Sequence, residues 1–161
     1  MNKIFCFLLI ILCSSCSTTY YVVRHAEKEA AAPNMTSDVE LSSEGKQRAQ
    51  ALKNHLERNN IKQIFSTNTI RTKTTAQPLS DALGVPIQVY DARDTSFVTL
   101  IKNERKGNIL IVGHSNTVDD LVNKFTGTNE LKDLPETQYG DLFIIKKKGN
   151  KYSLSISQFG K

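Results

Sequence analysis

The sequence predicts an α/β fold, a single-domain three-layer α/β/α sandwich around a mostly parallel sheet. Three observations carry that expectation. Short apolar runs alternate four times with stretches of helical periodicity, the pattern of parallel strands joined by crossover helices. Two of the helical stretches run into a glycine, Gly84 and Gly127, a residue that commonly stops a helix. The 161 residues suit one domain and leave little room for two.

The elements follow in order. Residues 20–23, Tyr-Tyr-Val-Val, read as a buried strand, and residues 26–40 as a loop containing Pro33 and Asn34. From Ser43 to about Asn59 the pattern turns helical, with Ala49, Leu52 and Leu56 on one face. Residues 61–65 form a second short strand. Residues 69–83 form a second helix, with Ala76, Leu79 and Leu83 on its apolar face. Residues 85–90 predict a third strand, and Phe97, Leu100 and Ile101 mark a third helix. Residues 108–112, Asn-Ile-Leu-Ile-Val, are the most apolar strand, and Val118, Leu121, Val122 and Phe125 mark a fourth helix. Residues 142–147 and 152–158 predict a closing hairpin across Lys148, Gly149 and Asn150, antiparallel at one edge.

The first residues read as an address. Lys3 precedes an apolar run from Ile4 to Leu12, then come Cys13, Ser14, Ser15 and Cys16. A basic start, a short apolar core and small residues make a secretory signal. The run is too short to cross a bilayer of about 30 Å as a helix. Two small residues before Cys16 resemble a bacterial lipoprotein signal, in which cleavage precedes a cysteine that is then acylated. That resemblance implies a signal peptide over 1–15, lipidation at Cys16, a short tether over 16–19 and a domain over 20–161. All three cysteines lie in this leader, so the domain itself has no free thiol, which suits an oxidising compartment. The expected location is the bacterial cell envelope, as a periplasm-facing lipoprotein held to the membrane by its anchor. The alternative is a cytoplasmic protein whose first residues are structural.

Composition narrows the function. Lysine and arginine total 21 against 16 acidic residues, a net charge of +5. The excess is scattered, with no basic block longer than Lys146, Lys147 and Lys148, so nucleic acid is not an expected partner. No zinc-type HExxH or CxxC spacing exists outside the leader, and no metal or other cofactor is expected.

Ligands of open α/β sheets bind beyond the carboxyl ends of the strands. The first strand delivers Arg24 and His25 there, and the fourth delivers Gly113, His114, Ser115 and Asn116. The second delivers Ser66, Thr67 and Asn68, with Arg71 opening the helix behind. Two arginines, two histidines and a helix start make a pocket for a dianion, because a guanidinium fork binds two phosphate oxygens at once. A serine-hydrolase reading of Ser115 is weak: Thr117 stands where the nucleophile elbow needs a glycine.

These residues resemble the histidine phosphatase superfamily, the phosphoglycerate-mutase-like clan. The matching segments are Val22 through Glu27, Leu41 through Ala49, Ser66 through Arg71 with Thr75 and Ala76, and Val112 through Thr117, in the clan's order. The resemblance implies a phosphatase acting on phosphomonoesters or phosphoramidates through a covalent phosphohistidine on His25. It implies that Arg24, Arg71 and His114 clamp the phosphoryl group, with Ser66 and Asn68 beside it. Two nearby arginines should lower the His25 pKa and keep the imidazole free to attack. The leaving group needs a proton, and the clan places an acid after the third strand, where Asp91 and Asp94 both stand. Asp94 reads equally as a helix N-cap, and Glu27 as a solvated loop charge. Only residues 91–107 separate the third and fourth strands, so no lid-forming insertion is expected and hydrolysis is favoured over mutase chemistry. The substrate would be a phosphorylated small molecule or a phosphoprotein. The competing reading is a non-catalytic module on the same fold that binds phosphate or a phosphoprotein.

Overall fold

The computed structural model describes residues 17–30, 38–104 and 107–160. The leader expected over 1–15, Cys16, and Pro33 and Asn34 of the first loop lie outside the described residues. The chain runs β1 (Thr18–Arg24), α1 (Ser43–Leu56), β2 (Ile61–Ser66), α2 (Ile70–Leu83), β3 (Ile87–Val89), α3 (Phe97–Lys102), β4 (Asn108–Gly113), α4 (Val118–Thr126), β5 (Asp141–Lys148) and β6 (Lys151–Gln158). The six strands form one sheet in the order β3-β2-β4-β1-β5-β6. Strands β1 to β4 are parallel, and β5 and β6 close the sheet antiparallel. This is the predicted three-layer α/β sandwich.

Side-chain alternation builds a core on each face of the sheet. Tyr20 and Val22 of β1, with Ile109 and Ile111 of β4, pack beneath α3 and α4, against Phe97, Val122 and Phe125. Tyr21 and Val23, with Leu110 and Val112, pack beneath α1 and α2, against Leu52, Leu56, Ala76 and Leu79. Residues 20–23 of β1 and 109–112 of β4 are therefore apolar without alternation, as centrally placed parallel strands are. Gly84 and Gly127 end α2 and α4 in the left-handed conformation, at φ 63° and 74°.

The predicted strand over 85–90 contracts to Ile87–Val89. Pro86 has no N–H to give a ladder, and the Val85 N–H goes to Ser80 O at the end of α2. The helix expected to reach Asn59 stops at Leu56.

Two devices fix the first site loop. The Ser42 N–H bonds Glu27 O at 3.0 Å, and Gly45 brings α1 so close that a Cβ there would stand 2.0 Å from the same carbonyl oxygen. Glu27 is no solvated loop charge. Its carboxylate receives the Arg48 guanidinium from both Nε and Nη2, and Arg48 Nη1 donates to Phe159 O and Gly160 O. Arg48 thus pins the loop after β1 to the end of the chain.

Candidate active site

Register brings the two histidines together. Arg24 stands opposite Gly113 in the parallel β1–β4 ladder, so His25 and His114 leave adjacent strands side by side. The His25 N–H continues the ladder to Gly113 O at 2.9 Å. The imidazole centroids lie 5.4 Å apart, inclined at 68°.

His25 is 4% exposed. Its Nδ1 lies 2.7 Å from Ala26 O, so Nδ1 carries the hydrogen and donates it. Nε2 is left with its lone pair. Burial is the largest cause that lowers the His25 pKa, to about 4, with Arg71, His114 and Arg24 adding their repulsion. The arginines expected to set this value are secondary to desolvation.

His114 is oriented from both nitrogens. An Arg71 Nη donates to Nδ1 at 3.3 Å, so the hydrogen sits on Nε2 and goes to Thr67 Oγ1 at 2.8 Å. Thr67 Oγ1 in turn donates to Thr72 Oγ1, which is tied to Thr67 O and Thr69 O at the start of α2. Burial, then Arg71 and Arg24, push His114 down to about 4. Both imidazoles are neutral at pH 7.

Arg71 also reaches Asp38 at 3.3 Å, and the same carboxylate accepts the Ile70 N–H. One turn further, Thr75 Oγ1 donates to Arg71 O and accepts the Ala26 N–H. The four-residue spacing from Arg71 to Thr75 therefore joins α2 to the loop carrying His25.

Arg24 is 4% exposed and is held by residues from the far end of the chain. Its Nη1 donates to Pro135 O and Gln138 O at 2.8 and 3.1 Å. Its Nη2 donates to Glu136 Oε2 at 2.9 Å, and the guanidinium lies 4.3 Å from the Tyr139 ring centroid. Arg24 Nε is buried with no hydrogen-bond partner among the described residues. A donor in that condition suits an arriving oxyanion.

These groups line a cavity of about 340 Å³ with Lys28, Ser115 and Glu136 at its rim. A second cavity, of about 500 Å³, shares His114 and extends past Thr67 and Asn68 to the loop after β3. Of the residues predicted to line the site, Arg24, His25, Arg71 and His114 meet in the first cavity, and Asn68 and Asp91 line the second. Ser66 does neither. As the last residue of β2 it points inward, fully buried, and its hydroxyl donates to Thr67 O.

Neither proposed acid is built to carry a proton. Asp91 is exposed and chelated by Arg93, from backbone N, Nε and Nη2, and these bonds lower its pKa. Asp94 closes a turn by accepting the Ser96 N–H and hydroxyl, which lower its pKa too, and it lines neither cavity. Helix α3 begins with Ser96 as its cap, without a side-chain bond.

Sequence reasoning missed Asp38, Tyr139 and Glu136, and placed Thr67 after the second strand without giving it a role. Glu136 is the unforeseen charge: its Oε2 accepts from Arg24 and its Oε1 from Ser115 Oγ at 3.1 Å, which together hold it ionised. Among the described residues no group of three or more His, Cys, Asp or Glu could hold a metal ion, and no helix is long and apolar enough to cross a membrane.

Comparison with known proteins agrees with this geometry. Residues 20–94 match the model of the histidine phosphatase superfamily, branch 1. No curated protein sequence matches the chain. Solved structures share the fold at low identity. Bacillus stearothermophilus YhfR is 17% identical at a TM-score of 0.67, over 87% of this chain and 96% of its own. The protein histidine phosphatase SixA, solved with tungstate, is 16% identical at 0.70, over 87% and 96%. A mycobacterial glucosyl-3-phosphoglycerate phosphatase is 12% identical at 0.68, over 88% and 99%.

Proposed function

We propose that this chain is a phosphatase that works through a phosphohistidine on His25. One observation carries the reading. The Nδ1 hydrogen of His25 is committed to Ala26 O, so an unprotonated Nε2 remains in a cationic cavity beside His114 and Arg24. An imidazole is a nucleophile only through an unprotonated nitrogen, and burial keeps it so at neutral pH.

In the first step Nε2 forms a bond to phosphorus while the bond to the leaving atom breaks, and that atom takes its proton from solvent. In the second, water attacks phosphorus and loses a proton to solvent, the P–N bond breaks and its electron pair returns to Nε2. Arg24 Nε and Arg71 bind the equatorial oxygens. The incoming dianion also offsets the charges that keep His114 neutral, so His114 can take a proton and donate to the phosphoryl group. Such transfer asks mainly for positioning and fixed positive charge, which these side chains supply without a metal ion.

The substrates that fit best carry leaving groups needing little protonation. Asp91, Asp94 and Glu136 are all stabilised as carboxylates. A phosphoramidate, whose leaving imidazole departs readily, suits such a site better than an alkyl phosphate. SixA of the same fold is described as a protein histidine phosphatase, which is consistent with that choice. From the sequence alone we add that the enzyme is a lipoprotein acylated at Cys16, with its site on the periplasmic side.

The test uses purified protein, an aryl phosphate, a phosphohistidine peptide and an alkyl phosphate, with His25→Ala beside the wild type. The expected result is turnover of the first two substrates, slow turnover of the third, and loss of at least about 10³-fold in the variant. Equal activity in both proteins overturns the mechanism, and phosphate binding with no turnover of any substrate returns the binding-module reading. Mass analysis of the N-terminus of envelope-derived protein tests the acylation.

A further inference from the structure

The end of the sheet opposite the active site carries a second charged surface. Strand β1 enters it at Thr18, and antiparallel β5 runs back to it, pairing Thr18 with Lys147 and Thr19 with Lys146. The β5–β6 turn then adds Lys148 and Lys151, paired with one another. Lys102, at the end of α3, arrives on the same side: its carbonyl accepts from Lys147 Nζ, and its ammonium lies 4.7 Å from the centroid of the Tyr152 ring.

Two features mark this as more than a solvated strand end. Among the described residues, no carboxylate lies within ion-pair distance of any of these five lysines, which the strand register gathers at one end of the sheet. The Lys102 pKa is lowered, first by burial and then by Lys147, so two like charges stand close together, their ammonium groups donating, among the described residues, only to the carbonyls of Lys124 and Lys102. Lysine stems, Tyr152 and Ser17 also line a mostly apolar trough of about 450 Å³. Ammonium heads around an apolar floor match a headgroup layer with acyl chains beneath.

We propose that this end of the domain docks on an anionic phospholipid surface. The way the chain enters favours a membrane over a soluble polyanion. Ser17, next to the proposed acylation site, lines the trough itself. The acylation proposed at Cys16 would put the bilayer there. β1 spans seven residues, about 23 Å, and the His25 cavity lies at its other end. Docked this way, the site faces away from the bilayer and takes substrates from solution, not from the lipids beneath it. The inference does not depend on the phosphatase chemistry.

The test uses the chain from Ser17, without an acyl group. That piece holds every strand and both cores, and solved proteins of this fold are matched over 96–99% of their own lengths, so it is a folding unit. Its partition onto equimolar phosphatidylglycerol–phosphatidylcholine vesicles and onto pure phosphatidylcholine is measured by sedimentation. The exposed Lys146, Lys148 and Lys151 are changed together to Gln. In a control that removes the same charge near the site, Lys46, Lys73 and Lys132 are changed to Gln. Expected are binding to the anionic vesicles only, weakening with salt, and loss of about fivefold per lysine, on the order of 10²-fold, for the first variant with little for the second. Equal losses in the two variants, with thermal midpoints unchanged, would mean net charge alone and overturn the docking surface. Absence of binding, equal binding to neutral vesicles, or retention on a soluble polyanion but not on vesicles overturns it as well.

Discussion

The buried imidazoles make the stability of the fold sensitive to acid above the range in which the lowered carboxylates titrate. His25 falls from 6.5 to about 4 on folding, so the unfolded chain binds the proton first as pH drops. The sign follows: stability is full above 6.5, declines as pH falls through the interval, and levels only near 4, where the folded protein also protonates. Between pH 7 and 5 one such ring costs about 2 kcal/mol, at about 1.4 kcal/mol per unit of separation. His114, also at about 4, loses stability with the same sign. Glu27, Asp91, Asp94 and Glu136 have lowered pKa values, so their contribution is full above the ordinary carboxylate range and is lost only as pH falls from that range through their folded values. Asp119, raised by burial, acts weakly in the opposite sense. Urea unfolding at pH 7 and pH 5, on wild type, His25→Gln and the His25→Gln, His114→Gln pair, isolates the imidazoles. Wild type should lose several kcal/mol over that interval, the single variant about 2 kcal/mol less, and the pair almost nothing. A pair that keeps the wild-type slope would refute the assignment of the acid sensitivity to these rings.

Two further substitutions probe the site's surroundings. Gly45→Ala would gain helix propensity of about 1 kcal/mol, but its Cβ meets Glu27 O at 2.0 Å, a backbone atom that cannot step aside. Overpacking should prevail, with a net loss of about 2 kcal/mol in denaturant unfolding and lower activity, since the displaced loop carries His25; an unchanged midpoint would sink that account. Glu136 competes with a phosphoryl group for Arg24, so Glu136→Gln should tighten inhibition by inorganic phosphate, on the order of fivefold, a modest effect because its side chain is 73% exposed. Weaker phosphate inhibition would show instead that Glu136 aims the guanidinium.

The sequence carried the sheet well where burial is complete. Residues 20–23 and 109–112 are apolar without alternation because each has a helix pair above and below, and that pattern is local. Strand β3 was overread because its edge position and the orphaned ladder at Pro86 are tertiary facts. Arg24, His25, Arg71 and His114 were legible because each directly follows a strand or opens the next helix. Glu136 and Tyr139 were not. Their approach to Arg24 joins positions more than a hundred residues apart, and no periodicity in 131–140 encodes it. Asp91 and Asp94 were legible for the opposite reason: the loop after β3 is a natural place for an acid. The groups that claim them, Arg93 and Ser96, lie only two residues on and act through ordinary turn bonds.

Burial accounts for both the cost and the use of this site. Two imidazoles packed among guanidiniums resist protonation until pH falls to about 4, because each added charge would be both desolvated and repelled. That makes the native state intolerant of acid. In the proposed mechanism the same balance reverses when a dianion enters: it would offset the arginines, satisfy the buried Arg24 Nε, and let His114 charge when a positive partner is useful. Groups already fixed by Ala26, Thr67 and the 135–139 segment need little rearrangement then. The instability toward acid and the readiness for a phosphoryl group are therefore one property, and a variant that relieves the first should weaken the second.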